Sequence, residues 1–469
     1  MSQQQEHVHF IGIGGSGMSA VAKVLAEMGY RVSGSDVHDH DLLHQLRAQG
    51  VSVYLGHHAD HVKGADYVVY STGIPEDNIE KKMARVANIP LLHRSQMLAK
   101  LLNQRRGIAI TGAHGKTTTT SLVTLMMTEA QLDPTFLIGG EVLDFGFNAK
   151  AGQSEYVVAE ADESDASFLK YYPEMAIITN IEADHLENYG GDFEQLKNAY
   201  VQFIHQIKRS GVLIVGMDDP DLAQLMCRKD VQQIIKQKNI TLVTYSLSDE
   251  TATIRTTNLS LHNGHSQFEL WWNNKSYGFV ELSVPGKHNV YNALATMALG
   301  FTLDVDMAYM KRACKSFVGA KRRFQVIGDA RDILVVDDYA HHPTEILATI
   351  EAAKSTGRRI VAVFQPQRYT RTYFLLDAFS YAFKEADEVI IADIYSPSGE
   401  QPLEGVTSEA LVNRIKVNSN PHVQFIAGTD DIVETLTQTL QPGDLLLTMG
   451  AGDIWKVAHT ISHTMSNLE

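Results

Sequence analysis

Thr111-Gly112-Ala113-His114-Gly115-Lys116-Thr117-Thr118-Thr119-Thr120 follows directly on the apolar run Gly107-Ile108-Ala109-Ile110. An apolar run of that length reads as a strand, and the threonine-rich stretch after it as the start of a helix. A strand that ends in glycines and opens a helix presents unpaired backbone N–H groups and the positive end of the helix dipole to an anion. Lys116 adds a point charge for β- and γ-phosphates, and the Thr117 hydroxyl is placed for Mg²⁺. The pattern G-x-x-x-x-G-K-[ST] would need glycine at position 110, where this chain has Ile110, so the loop is a shortened relative of it. A bare G-K-T also fits a glycine-rich turn with a solvated lysine. The strand before it and the helix after it decide for a phosphate cradle.

The chain has 469 residues, more than one hydrophobic core usually serves, and the expectation is three domains. Hydrophobic residues at 44% and charged residues at 20% describe an ordinary water-soluble globular protein. A net charge of −15 argues against a nucleic-acid partner, because a polyphosphate backbone needs a basic surface. Cys227 and Cys314 are too few for a disulfide framework, the polar N-terminus has no signal-peptide apolar region, and no uninterrupted apolar run reaches the roughly 18 residues of a membrane span. A cytoplasmic protein with no membrane partner is expected.

Working outward, Val8-His9-Phe10-Ile11 reads as a strand, followed by Gly12-Ile13-Gly14-Gly15-Ser16-Gly17 and a helical pattern from Met18 to Met28. This is G-x-G-x-x-G at a strand-to-helix turn, with a further strand over Val32 to Gly34 and Asp36 nineteen residues beyond Gly17. Taken alone it suggests a dinucleotide-binding Rossmann unit, and tight packing without a ligand is the plainer alternative. Strand-like runs continue at Val51 to Tyr54 and Tyr67 to Ser71. A basic step, Asn103-Gln104-Arg105-Arg106, marks a boundary before the phosphate loop. Beyond it, Tyr156 to Ala159, Ala176 to Thr179 and Val212 to Val215 read as strands of a mainly parallel sheet. Alternation from Ala252 to Val284 reads as a small antiparallel addition. After a second boundary near Gly319 to Arg323, strands are expected at Ile333 to Val336, Ile360 to Phe364, Glu388 to Ile391 and Leu445 to Met449.

Two strand ends carry acids. Tyr156 to Ala159 runs into Glu160-Ala161-Asp162-Glu163-Ser164-Asp165, and the next strand into Asn180-Ile181-Glu182-Ala183-Asp184-His185. Crowded carboxylates repel one another unless cations are present. At the edge where an α/β sheet places its ligand, these residues suit Mg²⁺ held against phosphates, with Mn²⁺ also compatible. Taken alone, the first cluster reads better as a solvated acidic loop and His185 as a satisfied turn histidine. Together with the lysine loop they favour a metal.

These motifs resemble the Mur ligase family, and within it the alanine-adding branch. The likeness covers Gly12 to Ser19, Gly112 to Thr118, Glu160 to Asp165 and Asn180 to His185. It continues through Gly286-Lys287-His288-Asn289-Val290-Tyr291-Asn292, Arg322-Arg323-Phe324, Asp337-Asp338-Tyr339-Ala340-His341-His342-Pro343-Thr344-Glu345 and Gly450-Ala451-Gly452-Asp453-Ile454. The resemblance implies an α/β protein of three domains. Residues 1–104 form a Rossmann-like domain for the UDP-sugar, 105–321 a central P-loop-type ATPase domain with a mainly parallel sheet and a small antiparallel addition, and 322–469 a Rossmann-like domain for the amino acid. The first glycine loop would then hold a UDP pyrophosphate, with no hydride chemistry.

The implied activity is ATP-driven joining of L-alanine to UDP-N-acetylmuramate in peptidoglycan synthesis, by a monomer or homodimer. By resemblance, Gly112, Ala113, His114, Gly115, Lys116, Thr117 and Thr118 cradle ATP. His288, Asn289 and Asn292 lie on its adenine side, and Arg322, Asp338 and Tyr339 engage phosphates and ribose. Thr117, Glu160 and His185 hold metal. Lys116, Glu160, His185 and Arg322 carry the chemistry. Gly14, Gly15, Ser16, Gly17, Met18, Ser35, Asp36, Ser71 and Thr72 contact the UDP-sugar, and Tyr339, His341, Arg368 and Arg371 face the amino acid. Helix capping is the plain alternative for His288 and Asn292, and a surface ion pair for Arg322.

Departures are informative. Other branches carry a carbamylated lysine where this chain has Tyr200, with Lys197 three residues earlier. Gln367 stands where the family usually has histidine, which leaves selection among L-alanine, glycine and L-serine open. Ser16, and Ser71-Thr72-Gly73-Ile74, also differ from the usual pattern. Three rival readings remain: a ligase recycling a murein tripeptide, an NAD-dependent oxidoreductase, and a nucleotide-binding regulator without turnover. The oxidoreductase leaves the G-K-T loop and both acidic strand ends unexplained, and the regulator has no use for intact Lys116, Glu160, His185 and Arg322.

Overall fold

The computed structural model describes residues 5–142, 147–262, 264–396 and 400–467. Its contacts divide the chain into two compact units. The first comprises Met1–Arg255, Trp271–Ser276 and Asn292–Ala313, and the second comprises Thr256–Leu270, Tyr277–Tyr291 and Cys314–Glu469. No described helix is long and apolar enough to cross a membrane.

The first unit opens with the strand His7–Ile11, whose five residues are all buried, its two histidines hydrogen-bonded to Ser33 Oγ at 2.8 Å. It is the middle of a five-stranded sheet. Arg31–Asp36 and then Ser52–Leu55 lie on one side, and Tyr67–Tyr70 and then Leu91–His93 on the other, all parallel. The chain therefore reverses its direction of travel across the sheet at His7–Ile11, and the crevice where ligands bind opens at that strand's carboxyl end. The glycine run follows there. The helix Ser16–Glu27 buries Ala20, Val21, Val24 and Leu25 against the sheet.

The same reversal recurs at the phosphate loop. Arg106–Thr111 is flanked in parallel by Met175–Ile178 and by Tyr156–Glu160, with Ile178 beside Thr111 and Ile110 beside Glu160. Val212–Gly216 and Thr241–Ser246 extend one side, and Thr135–Val142 and Phe147–Lys150 the other. The sheet is mostly parallel, as expected, with an antiparallel pair at its Phe147–Lys150 edge.

The alternating segment forms the strands Ile254–His262, His265–Trp272 and Lys275–Leu282, neighbours in chain order. Asn273 and Asn274, at φ 48° and 62°, make the two-residue turn between the last two, in the left-handed backbone that a tight hairpin demands. In the second unit the strand order is Gln325–Ala330, Ile333–Asp338, Asp444–Met449, Arg359–Phe364, Glu388–Ile391 and Val423–Phe425. The first pair is antiparallel and the rest are parallel. The protein is thus α/β with three sheets. The carboxyl ends of three neighbouring strands of the last sheet deliver Asp338–His342, Gly450–Gly452 and Gln365–Tyr369 to one edge.

Candidate active site

The phosphate loop is fixed from below and from the side. Gly112 sits at φ +137°, and a Cβ there would fall 2.0 Å from Thr179 Oγ1, so only glycine lets the strand end pass this close to its neighbour. Asn180 clamps the turn: its Oδ1 accepts from His114 N at 2.8 Å and its Nδ2 donates to His114 O at 3.0 Å. Thr179 Oγ1 donates to the same carbonyl at 2.7 Å. Gly115, at φ +84°, caps the helix Lys116–Glu129, and a Cβ there would lie 2.5 Å from Asn292 Oδ1. Asn292 therefore packs against the loop.

Lys116 Nζ donates to Glu163 Oε1 and Oε2 at 2.8 and 3.0 Å and to Gly112 O at 2.6 Å. Burial alone would lower its pKa, but the carboxylates of Glu163 and then Asp162 outweigh it and hold it above the ordinary lysine value, so the ammonium is permanently charged. Tyr189 OH donates to the Glu163 backbone carbonyl, fixing the acidic loop in turn. Glu160 ends the adjacent strand, with Oε1 accepting from Gly139 N at 2.8 Å. Beyond the strand Met175–Ile178 on the other side, His185 opens the short helical turn Leu186–Tyr189 in a left-handed backbone (φ 54°), its ring 3.5 Å from Asp184 Oδ2 and 3.6 Å from Glu187 Oε1. His114 Nε2 meets Glu182 Oε2 at 2.5 Å. This edge gathers the loop, Lys116, Thr117, Glu160, His185 and Asn292 in one unit. Hard oxygen donors beside a fixed ammonium and a helix N-terminus are the donor chemistry that Mg²⁺ with phosphate requires.

At the first glycine loop, Gly12 N and Ile13 N donate to Ser35 O at 2.8 and 3.0 Å. Gly14 N donates to Asp36 Oδ2 at 2.8 Å. Asp36 thus spends one carboxylate oxygen on the loop, and the other accepts from Val37 N at 2.8 Å. That is not the open acid that would read a nicotinamide dinucleotide's ribose. Ser35 is fully buried and its hydroxyl donates to Glu80 at 2.5 Å. Thr72 Oγ1 pairs with His93 Nε2 at 3.1 Å. Sequence reasoning missed Arg94, whose guanidinium lies 2.0 Å from where a Gly17 Cβ would be. Its only signal was a lone cation opening the helix Arg94–Asn103 at this sheet edge.

In the second unit, Arg322 is not a loose surface partner. Nε binds Asp337 Oδ2 at 2.8 Å, Nη2 donates to Gly450 O at 2.5 Å and Nη1 to Gly452 O at 3.2 Å, with the guanidinium over the Tyr339 ring at 5.1 Å. Asp338 accepts from Phe324 N at 2.6 Å and Ala340 N at 2.7 Å, and burial raises its pKa to about 6. His341 Nδ1 lies 2.9 Å from Tyr339 O and 3.2 Å from Glu345 Oε2. Burial pushes the His341 pKa down to about 4, and that of His288 likewise. Asn289 Nδ2 donates to Pro285 O at 2.7 Å. Arg371 Nη1 donates to Gln367 Oε1 at 3.0 Å. Arg368 is exposed and opens the helix Tyr369–Phe374 at φ 69°.

Three family profiles cover most of the chain: the Mur ligase family catalytic domain over residues 7–106, the Mur ligase middle domain over 110–300 and the Mur ligase glutamate ligase domain over 322–452. The chain belongs to the Mur ligase family. A UDP-N-acetylmuramate--L-alanine ligase of Symbiobacterium thermophilum is 44% identical over 98% of this chain and 95% of its own. One of Pelotomaculum thermopropionicum is 45% identical over 96% of each chain. Among solved structures, the UDP-N-acetylmuramate-alanine ligase MurC of Thermotoga maritima superposes with a TM-score of 0.78 at 29% identity, covering 99% of this chain and 100% of that one. A murein peptide ligase of Psychrobacter arcticus does so with 0.70 at 26%, covering 98% and 99%.

Two departures of this Mur ligase have structural explanations. Tyr200, on the helix Phe193–Gln206, is fully buried with its ring edge-on to Phe168 at 5.3 Å. Burial, and then the nearby Glu163 carboxylate, hold its pKa well above the ordinary tyrosine value, so it supplies no anion to a metal. Lys197 is turned away, paired with Glu194 at 2.6 Å and Asp221 at 3.3 Å. Gln367 keeps a hydrogen-bonding role in the loop after Arg359–Phe364 by accepting from Arg371.

Proposed function

We propose that this chain is an ATP-dependent ligase that joins L-alanine to the lactyl carboxylate of UDP-N-acetylmuramate, giving UDP-N-acetylmuramoyl-L-alanine, ADP and phosphate for peptidoglycan synthesis in the cytoplasm. The observation that carries the reading is the meeting, beyond neighbouring strand ends, of the Gly112–Thr117 loop, Glu160 and the segment Asn180 to His185, whose Asn180 clamps the loop. We assign residues 1–104 to the sugar nucleotide, 105–321 to ATP and 322–469 to the amino acid.

The lactyl carboxylate attacks the γ-phosphorus and ADP leaves, giving an acyl phosphate. The alanine amine then attacks the acyl carbon, and the carbon–oxygen bond to phosphate breaks. No protein nucleophile is needed, because the barrier lies in bringing two anions together. Lys116 and the N–H groups of the loop neutralise the β- and γ-oxygens. Thr117, Glu160 and His185 would hold Mg²⁺, which when bound screens the phosphate charge from the attacking carboxylate. Asn292 orients the nucleotide beside Gly115, and in the second unit His288, Asn289, Arg322 and Tyr339 are assigned to nucleotide binding by the family likeness. Asp338 holds the Phe324 and Ala340 amides that shape their loop. His341 is neutral near pH 7, and its Nδ1–H donates to Tyr339 O, which holds the ring beside the incoming alanine. Arg368 and Arg371 flank the alanine carboxylate.

Phosphate release from ATP and Mg²⁺ should require both UDP-N-acetylmuramate and L-alanine, with glycine and L-serine slower. Turnover with the recycled tripeptide alone would move the chain to the murein-peptide branch, and turnover with no acceptor would remove the ligase reading.

A further inference from the structure

We infer that the adjacent buried residues Glu80 and Lys81 are the positioning element of the sugar-nucleotide site, holding the Gly12–Gly17 loop in its binding shape from two directions. The inference rests on the reading of that loop as the UDP-sugar site. Both residues are fully buried, neighbours of opposite charge on the helix Ile79–Val86. Asn78 caps that helix by accepting from Glu80 N at 2.9 Å and Lys81 N at 3.3 Å, which fixes where the two side chains begin. Burying one charge of each sign is costly unless each is fully paired. Here each is paired to the frame of the glycine loop.

Glu80 gathers three segments. Oε2 accepts from Ser35 Oγ at 2.5 Å and lies 3.3 Å from His57 Nδ1 and 3.5 Å from His9 Nε2. Oε1 accepts from His58 N at 3.2 Å and meets His61 Nδ1 at 2.7 Å. These contacts hold its pKa down at about 2 in spite of burial, so the carboxylate stays charged. Ser35 is the link outward. Its hydroxyl is given to Glu80 while its carbonyl takes Gly12 N and Ile13 N, and the next residue, Asp36, takes Gly14 N.

Lys81 works from the other side of the sheet's reversal point. Nζ donates to Glu76 Oε1 at 2.5 Å and Ile74 O at 3.4 Å, and lies 4.2 Å from the centre of the Tyr70 ring. Ile74 belongs to the Ser71–Ile74 turn, and its Cδ1 lies 2.8 Å from where a Gly12 Cβ would be. Ile74 therefore packs directly on the first glycine. A carboxylate fixes the loop through Ser35, and an ammonium fixes it through Ile74. Glu80 and Lys81, both fully buried, act without touching the nucleotide themselves.

The test uses full-length Glu80→Gln and Lys81→Met, titrated with UDP by calorimetry alongside steady-state kinetics for all three substrates. The expected result is a rise of about tenfold or more in Kd for UDP and KM for UDP-N-acetylmuramate, with KM for ATP and L-alanine within about twofold of the parent. Lys81→Arg, which keeps the cation, should restore most of the affinity. A merely structural role would instead lower melting temperature and kcat and leave the three KM values in their original ratio. That result, or unchanged UDP affinity, overturns the proposal. Should Glu80→Gln fail to fold, Lys81→Met carries the test, and a selective loss of UDP affinity supports the proposal whereas parental affinity overturns it. A parent protein that binds no UDP contradicts the reading of the loop itself, while a parent that binds with unaffected variants contradicts only the role of the pair.

Discussion

Lys116 lies among oxygens of two neighbouring loops: both carboxylate oxygens of Glu163 and the carbonyl of Gly112 in its own turn. Its charge is secured by those acids, so its contribution is electrostatic and constant across the physiological range. Lys116→Ala should lower kcat by about 10²- to 10³-fold with the fold intact by circular dichroism, the size expected for losing one preorganised charge. His341 makes a different prediction. Its folded pKa of about 4 lies below the ordinary 6.5, so the folded state prefers the neutral ring, and its contribution is full above pH 6.5 and lost as pH falls toward 4. Glu345 favours the charged ring, whereas Arg371 and Arg323 oppose it. His288 behaves in the same direction, and Asp338, raised to about 6, works in the opposite one. His341→Asn should therefore flatten the pH dependence of urea unfolding between these limits by up to about 1.4 kcal/mol per pH unit, the value for one proton. An unchanged slope would mean that His341 is solvated. The residue types at these positions were legible from the motifs. Their partners were not, because Glu163 under Lys116 and Asn180 on His114 are 47 and 66 positions distant and meet only when parallel strands align.

At the scale of elements, both glycine loops follow the strand at which their sheet reverses, and each needs glycine for a stated reason. Gly115→Ala would put a Cβ against Asn292 Oδ1 in a left-handed backbone, and should cost about 1–3 kcal/mol in denaturant unfolding together with loss of ATP affinity. Wild-type ATP binding by that variant would show that the turn can relax. Strands such as Glu388–Ile391 and Arg359–Phe364 were readable because an apolar run buried on both faces has no other soluble solution. Leu91–His93, Val423–Phe425 and Gln325–Ala330 were not, being short or polar and made into strands by their neighbours. The pair Thr135–Val142 and Phe147–Lys150 was also missed, since a run through Gly139 and Gly140 carries little strand signal. Gly12–Gly17 with Asp36 read equally well as a dinucleotide fingerprint. Hydrogen bonding of Asp36 to the loop itself separates the two, and no local pattern contains that information.

Across the whole molecule, three sheets of related design each carry a loop at the carboxyl ends of their parallel strands, the edge at which an α/β sheet takes its ligand. Similarity over nearly the full chain to alanine-adding ligases agrees with that arrangement. The chemistry turns on activation of the lactyl carboxylate by direct phosphorylation. The measurement that tests it most directly supplies ATP, Mg²⁺, L-alanine and UDP-N-acetylmuramate carrying oxygen-18 in both lactyl carboxylate oxygens, and weighs the released phosphate by mass spectrometry. An acyl phosphate opened at carbon predicts one heavy oxygen in every phosphate released. Unlabelled phosphate alongside amide product would contradict the account, since ATP would then have been cleaved without passing its phosphoryl group to the carboxylate.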